Sequence, residues 1–148
     1  MRAYSIVMLF LAVASPIHPE QPMITEGLEI SQVKALIGKR RDGKDGACVG
    51  MTVQNNSAHT YLMVKVRVTF LDKLGKPFFE DTQIPFLSSI FNTVPPLKPN
   101  YSFRATPRCT VEGIDLQRWD EGKVRIEIIE TDTLHQRDER FSGSDDIE

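Results

Sequence analysis

Seven consecutive residues near the middle of the chain limit the possible fold more than any others. Val64, Val66, Val68 and Phe70 alternate with Lys65, Arg67 and Thr69. In an extended chain this places four apolar side chains on one face and three polar ones on the other, whereas a helix would scatter both sets around its axis. The apolar positions are mostly β-branched and the polar ones mostly cationic, the pattern of a half-buried antiparallel strand. The run ends at Asp72-Lys73-Leu74-Gly75-Lys76, where Gly75 can take a positive φ and let the chain reverse into Phe78-Phe79.

The same two-residue period recurs on both sides. Val49, Met51 and Val53 alternate with Gly50, Thr52 and Gln54 and stop at the turn residues Asn55-Asn56-Ser57. Upstream, Leu28 to Ile37 alternates with one slip of phase near Gln32, which a bulged strand explains and an amphipathic helix would also fit. Between these two segments, Arg41-Asp42-Gly43-Lys44-Asp45-Gly46 carries two Asp/Gly turn signals and predicts a hairpin connection. Downstream, Lys98-Pro99-Asn100 turns into Tyr101, Phe103 and Ala105, opposed by Ser102, Arg104 and Thr106. A last strand over Val124, Ile126 and Ile128 is introduced by Asp120-Glu121-Gly122. Ile114 to Trp119 is long enough for one helical turn that brings Trp119 over the end of the core.

About seven short strands with turn residues between them predict an all-β fold, a single immunoglobulin-like antiparallel β-sandwich. A small closed barrel of the OB type is the alternative, although a nucleic-acid-binding barrel needs basic and aromatic residues together. The chain has 148 residues, room for one ordinary core. The sandwich is placed at residues 28–130, after a flexible lead-in at 15–27 that contains Pro16, Pro19 and Pro22. From Thr131 onward apolar residues become scarce, which predicts a disordered acidic tail over 131–148.

The N-terminus has a different character. Arg2 precedes an almost unbroken apolar run from Ile6 to Ala14 that ends in Ala12-Val13-Ala14, the pattern of a secretory signal peptide over residues 1–14. The run is about half the roughly 20 residues that a membrane span needs. The mature protein is therefore expected from Ser15, without a membrane span, periplasmic or secreted; without Arg2 it has 17 basic and 20 acidic residues, a charge near −3. Such a charge provides no field that would draw the protein to nucleic acid, so none is expected as a partner. Cys48 and Cys109 are the only cysteines. An even count in an exported chain makes a disulfide the expectation, and two unrelated core thiols the alternative.

The run Val53-Gln54-Asn55-Asn56-Ser57, then Val64 to Asp72, then Gly75-Lys76, resembles the FxLYD family of extracytoplasmic domains. In that family an Asn-Asn-Ser-like turn precedes an alternating valine strand and a Gly-Lys hairpin. Leu97-Lys98-Pro99-Asn100 before Tyr101 and Phe103 is similar to the family's Leu-x-Pro-Gly turn, with Asn100 in the place of the glycine. The apolar stretch Ile84 to Val94 is longer than the family pattern. The resemblance spans about Leu28 to Ile129 and implies an immunoglobulin-like sandwich outside the cytoplasm, with no catalytic residues to carry over.

No nucleophile elbow, P-loop, His-Glu-x-x-His or dinucleotide fingerprint occurs in the sequence. His18, His59 and His135 are scattered and give no close ligand pair with the cysteines, so no metal or other cofactor is expected. Asn55-Asn56-Ser57 and Asn100-Tyr101-Ser102 match the glycosylation sequon but also read as turns at strand ends. The segment with functional potential is Pro85 to Phe91, flanked by Val94-Pro95-Pro96-Leu97. If Phe86, Leu87, Ile90 and Phe91 project from an edge or loop, they form an apolar patch of the kind that receives a protein partner; folded inward, they are core. The expected role is a non-catalytic binding or assembly module whose partner is another envelope protein. A small secreted enzyme or metal-binding protein is the alternative.

Overall fold

The alternating run of Val64 to Phe70 forms the central strand of one of two packed sheets, and all four of its apolar side chains are fully buried. The structure, a computed structural model, describes residues 27–89, 91, 93–110 and 113–135. The expected leader and most of the lead-in lie outside these residues, as does the tail from residue 136. The strands are β1 (Leu28–Lys39), β2 (Asp45–Asn55), β3 (Tyr61–Asp72), β4 (Pro77–Leu87), β5 (Ser102–Arg104), β6 (Arg108–Cys109) and β7 (Trp119–Thr133).

One sheet has the order β1-β2-β5, with β6 also on β2; the other has the order β4-β3-β7; every pairing is antiparallel. The chain makes one hairpin in each sheet, returns to the free edge of β2, and crosses again to the free edge of β3. Two packed antiparallel sheets, with the second strand paired to the fifth and the chain crossing between the sheets, are the immunoglobulin-like architecture. Over the described residues the fold is a seven-stranded antiparallel β-sandwich.

The phase slip near Gln32 is a β-bulge. The register shifts by one residue between Ser31 and Lys34, and Gln32 has φ 50°. The extra residue lets Ile30 and Ala35 both pack on the core, although an odd number of positions separates them. β4 continues through Pro85, which is possible because β4 is an edge strand; the register of β3 with β4 slips between Val64 and Val66, opposite Ile84-Pro85.

Two boundaries differ from those the sequence suggests. Asp120-Glu121-Gly122 lies inside β7 rather than ahead of it, and the strand runs to Thr133, past the expected boundary at residue 130. The bulge between the Phe70–Val124 and Asp72–Trp119 pairs, with Gly122 at φ 88°, makes a turn-like triplet part of a strand. Tyr101 is 63% exposed instead of inward, because β5 begins only at Ser102 and the Asn100 turn (φ 65°) directs Tyr101 outward.

The core joins Val49, Met51 and Val53 of β2 to the valines and Phe70 of β3. Trp119 covers one end, edge-on to Phe70 at 5.5 Å between ring centroids, and its indole N–H donates to the Lys123 carbonyl at 3.0 Å. The expected helical turn before it is a single turn held by Asp115, whose carbonyl accepts from the Trp119 amide and whose carboxylate accepts from the Gln117 and Arg118 amides.

Candidate partner-binding site

The two ends of the sandwich differ in how many charged residues their connections hold, because the turns of each sheet collect there. At one end, the β1–β2 and β3–β4 turns and the segment before β7 carry Arg40, Arg41, Lys44, Lys73, Lys76 and Arg118 among Asp42, Asp45, Asp72 and Asp115, with Lys39 paired to Asp45, Arg40 to Asp42 and Arg118 to Asp72. At the other end meet segments 56–61, 87–101 and 133–135, in which Lys98 is the only Lys, Arg, Asp or Glu. The first and last described residues, Gly27 and His135, lie at this end.

Asn55, fully buried at the last position of β2, ties the uncharged end together. Its amide group donates to the carbonyls of His59 at 2.8 Å and Leu97 at 3.0 Å. Its side-chain oxygen accepts from the backbone N–H of Ser57 at 3.0 Å and from the Ser57 hydroxyl at 2.8 Å. The backbone N–H of Asn55 donates to Tyr101 and its carbonyl accepts from Asn100. Every hydrogen-bonding position of the side chain is used, so the first sequon serves as a structural turn.

The four residues expected to form a patch separate. Phe86 is a core residue, 1% exposed, opposite Val64 on β3 and edge-on to Phe103 at 5.2 Å. The inward register of β4 decides this, and Phe86 is withdrawn from the surface set. Leu87, the next residue, faces outward and is 43% exposed. Ile90 lies outside the described residues. Phe91 is 91% exposed, the most exposed of the large apolar side chains among the described residues.

Phe91 is held by a short-range scaffold. Ser89 and Val94 form an isolated antiparallel bridge, the Ser88 hydroxyl donates to the Val94 carbonyl at 3.0 Å, and the Phe91 amide donates to the Ser89 hydroxyl at 3.1 Å. Thr93 takes φ 56° to close the loop, and the Ser88 amide donates to the Leu62 carbonyl, fixing the loop base to β3. Beside the loop lies an open groove of about 380 Å³, walled by Leu62, Val94, Pro95 and Pro96 with Ser88 and Thr93 at its polar margin. The sequence identified the segment but not the groove, whose far wall, Leu62, is more than twenty residues away in the chain; the bracketing Ser88-Ser89 and Pro95-Pro96 pairs were the available signal.

Elsewhere, Cys48 and Cys109 are bonded. They oppose each other across β2 and β6 with Cα atoms 3.7 Å apart, on the outer face of the first sheet. Gly38 opposes Gly46 on the same face; a Cβ at Gly38 would lie 2.7 Å from the Cys48 sulfur, so this glycine makes room for the bond. On the outer face of the second sheet, Lys65 pairs with Glu130, and Arg67 with Glu127 at 3.0 Å. Beside the β3–β4 turn, Asp72 has its carboxyl held below its ordinary range, first by the Lys76 amide, then by the Leu74 amide and the Arg118 charge, with burial opposing them. The Lys65, Arg67 and Asp72 interactions are structural pairs at or near the surface.

Among the described residues no group of three His, Cys, Asp or Glu side chains is placed to hold a metal ion, and no helix is long and apolar enough to cross a membrane. Comparison of the chain with known protein families, with curated proteins and with solved structures gave no match.

Proposed function

We propose that this protein is an exported, non-catalytic β-sandwich that acts as a binding or assembly module in the cell envelope, with Leu87 and Phe91 as its contact residues. The observation that supports this reading is Phe91. A phenylalanine 91% exposed on a loop tied by two serine hydroxyls loses apolar contact in the free protein, and the scaffold keeps it in position for a partner. Export accounts for the apolar run Ile6 to Ala14, and a disulfide is at home in an oxidising compartment. The two-sheet architecture is the one that the resemblance to FxLYD domains implies, and membership of that family is part of the proposal.

The test has two readouts. Expressed in a bacterium, the protein should be recovered outside the cytoplasm with Ser15 at its N-terminus; an intact Met1 in the cytosol rejects export. Tagged wild-type protein should retain a stoichiometric partner that Phe91→Ala loses while its denaturation midpoint stays unchanged. Equal recovery of that partner by both proteins rejects the assignment of the site.

A further inference from the structure

We infer that Glu121 guards the free edge of β1: its carboxylate, carried across from the other sheet by a bulge of β7, occupies the backbone N–H that a strand added from a second copy of this chain would need.

Among the described residues β1 is paired with β2 on one side and with no strand on the other. It is 12 residues long, and its Val33, Leu36 and Ile37 are each at least 40% exposed. A long edge with exposed apolar side chains is a template for edge-to-edge pairing unless something blunts it. The ladder shows where the unpaired backbone groups of this edge point. The Ala47 carbonyl accepts from the Thr110 amide on the far side of β2, so in the opposed pair Ile37–Ala47 the polar groups face away from each other. The Ile37 N–H therefore points into the open edge, and with a period of two so do the polar groups of Ala35 and Lys39.

That N–H is already occupied. It donates to Glu121 Oε1 at 3.1 Å, across 84 positions of sequence and from one sheet to the other. The reach is built by β7, the edge strand of the second sheet. Between the pairs Phe70–Val124 and Asp72–Trp119, residues 120–123 of β7 stand opposite the single Leu71 of β3. The bond from the Trp119 indole to the Lys123 carbonyl closes this surplus at its base, and Gly122 turns it with φ 88°. It projects toward β1, since a Cβ at Gly122 would lie 3.8 Å from the Ala35 carbonyl oxygen. Backbone of β7 thus lies beside Ala35 while the Glu121 carboxylate caps Ile37.

The other half of the edge is interrupted separately, by the Gln32 bulge. An incoming strand can add along Ala35 to Lys39 only by displacing Glu121, and a charged group set against an edge is one of the devices that blunt it. The charges around the cap are mixed: Asp120 and Lys123 lie on the bulge and Lys34 and Lys39 on β1, with Lys39 paired to Asp45. The guard therefore acts through its hydrogen bond and its place on the edge, not through a net field.

The experiment makes two measurements on the full disulfide-intact chain: hydrogen exchange of the Ile37 amide by NMR, and sedimentation equilibrium over a concentration series. In Glu121→Ala the Ile37 amide should exchange ~10-fold faster or more than in wild type, the loss expected for a hydrogen bond to a charged group. The same variant should associate more strongly than wild type as concentration rises. Glu121→Gln keeps an acceptor of the same reach and should stay near wild type in both measurements. Adding Ile37→Lys to Glu121→Ala puts a charge on the edge itself and should abolish the added association while the amide stays unprotected. An Ile37 amide equally protected in wild type and Glu121→Ala overturns the inference. So do a Glu121→Ala protein that associates no more than wild type, added association that Ile37→Lys leaves intact, and a wild-type dimer that Ile37→Lys dissolves. Circular dichroism and the denaturation midpoint verify folding; should Glu121→Ala not fold, Glu121→Ser, too short to reach Ile37, takes its place.

Discussion

The side-chain amide of Asn55 donates a hydrogen bond to the backbone carbonyl of Leu97, 42 residues further along the chain, at 3.0 Å. Through this bond and its partners at Ser57 and His59, the end of β2 fixes the base of the segment that carries Phe91. Asn55→Ala leaves buried groups without partners, at about 1–3 kcal/mol for each. The variant is expected to lose about 2–4 kcal/mol in urea denaturation. A loss below about 0.5 kcal/mol, the range of an ordinary surface substitution, would remove Asn55 from this role.

Phe86 and Phe91 lie five residues apart in one apolar stretch, yet should respond in opposite ways. Phe86→Ala empties a core position between Val64 and Phe103 and is expected to cost about 3–5 kcal/mol. Phe91→Ala removes an exposed ring and should stay within about 0.5 kcal/mol of wild type. Guanidinium denaturation of the two single variants side by side checks this, and similar losses in both would mean that the loop packs on the core in solution.

The fold was legible where a local pattern determines it. Alternation at Val64 to Phe70 marked the central strand, the phase slip marked the bulge at Gln32, and the Asp72 to Lys76 turn has Gly75 at φ 73° as its sequence requires. What was not legible depends on residues distant in the chain. That Phe86 is buried is decided by the register of β4 on β3, shifted at Ile84-Pro85, which composition does not reveal, while Phe91 lies beyond the end of β4. Asn55 read as a turn residue because its acceptor at Leu97 becomes a neighbour only when β5 joins β2. Asp120-Glu121-Gly122 has the composition of a turn and becomes part of β7 only through its pairing with β3.

The disulfide joins residues 61 positions apart, and constraining a loop of that length stabilises a fold by about 4 kcal/mol in the chain-entropy model. Replacing both cysteines by serine is expected to lower the unfolding free energy by about 2–5 kcal/mol. An unchanged chemical midpoint for the double variant would show that the bond constrains little.

Asp72 gives the stability a defined acid dependence. Its folded carboxyl titrates below the ordinary value of 3.8, chiefly because the Lys76 amide donates to the charged form. Its contribution is therefore fully present above the unfolded value, and is lost as pH falls through the lower folded value. Comparing wild type with Asp72→Ala, the difference in denaturation midpoint should be constant from pH 7 to about pH 5 and shrink below about pH 4. A difference that grows on acidification would contradict the assignment.

The separation between β3 and β7 also matters while the chain is being made, N-terminus first. Arg67 finds Glu127 60 residues later, and Lys65 finds Glu130 65 residues later, so the central strand has only β4 beside it until nearly the whole described fold has appeared. At synthesis rates of roughly 5–20 residues per second that interval is roughly 3–12 s. During it, Val64, Val66, Val68 and Phe70 have one neighbouring strand and no closed sandwich around them. The nascent chain is then at its stickiest, and only the arrival of β7 covers the second edge of that valine strand.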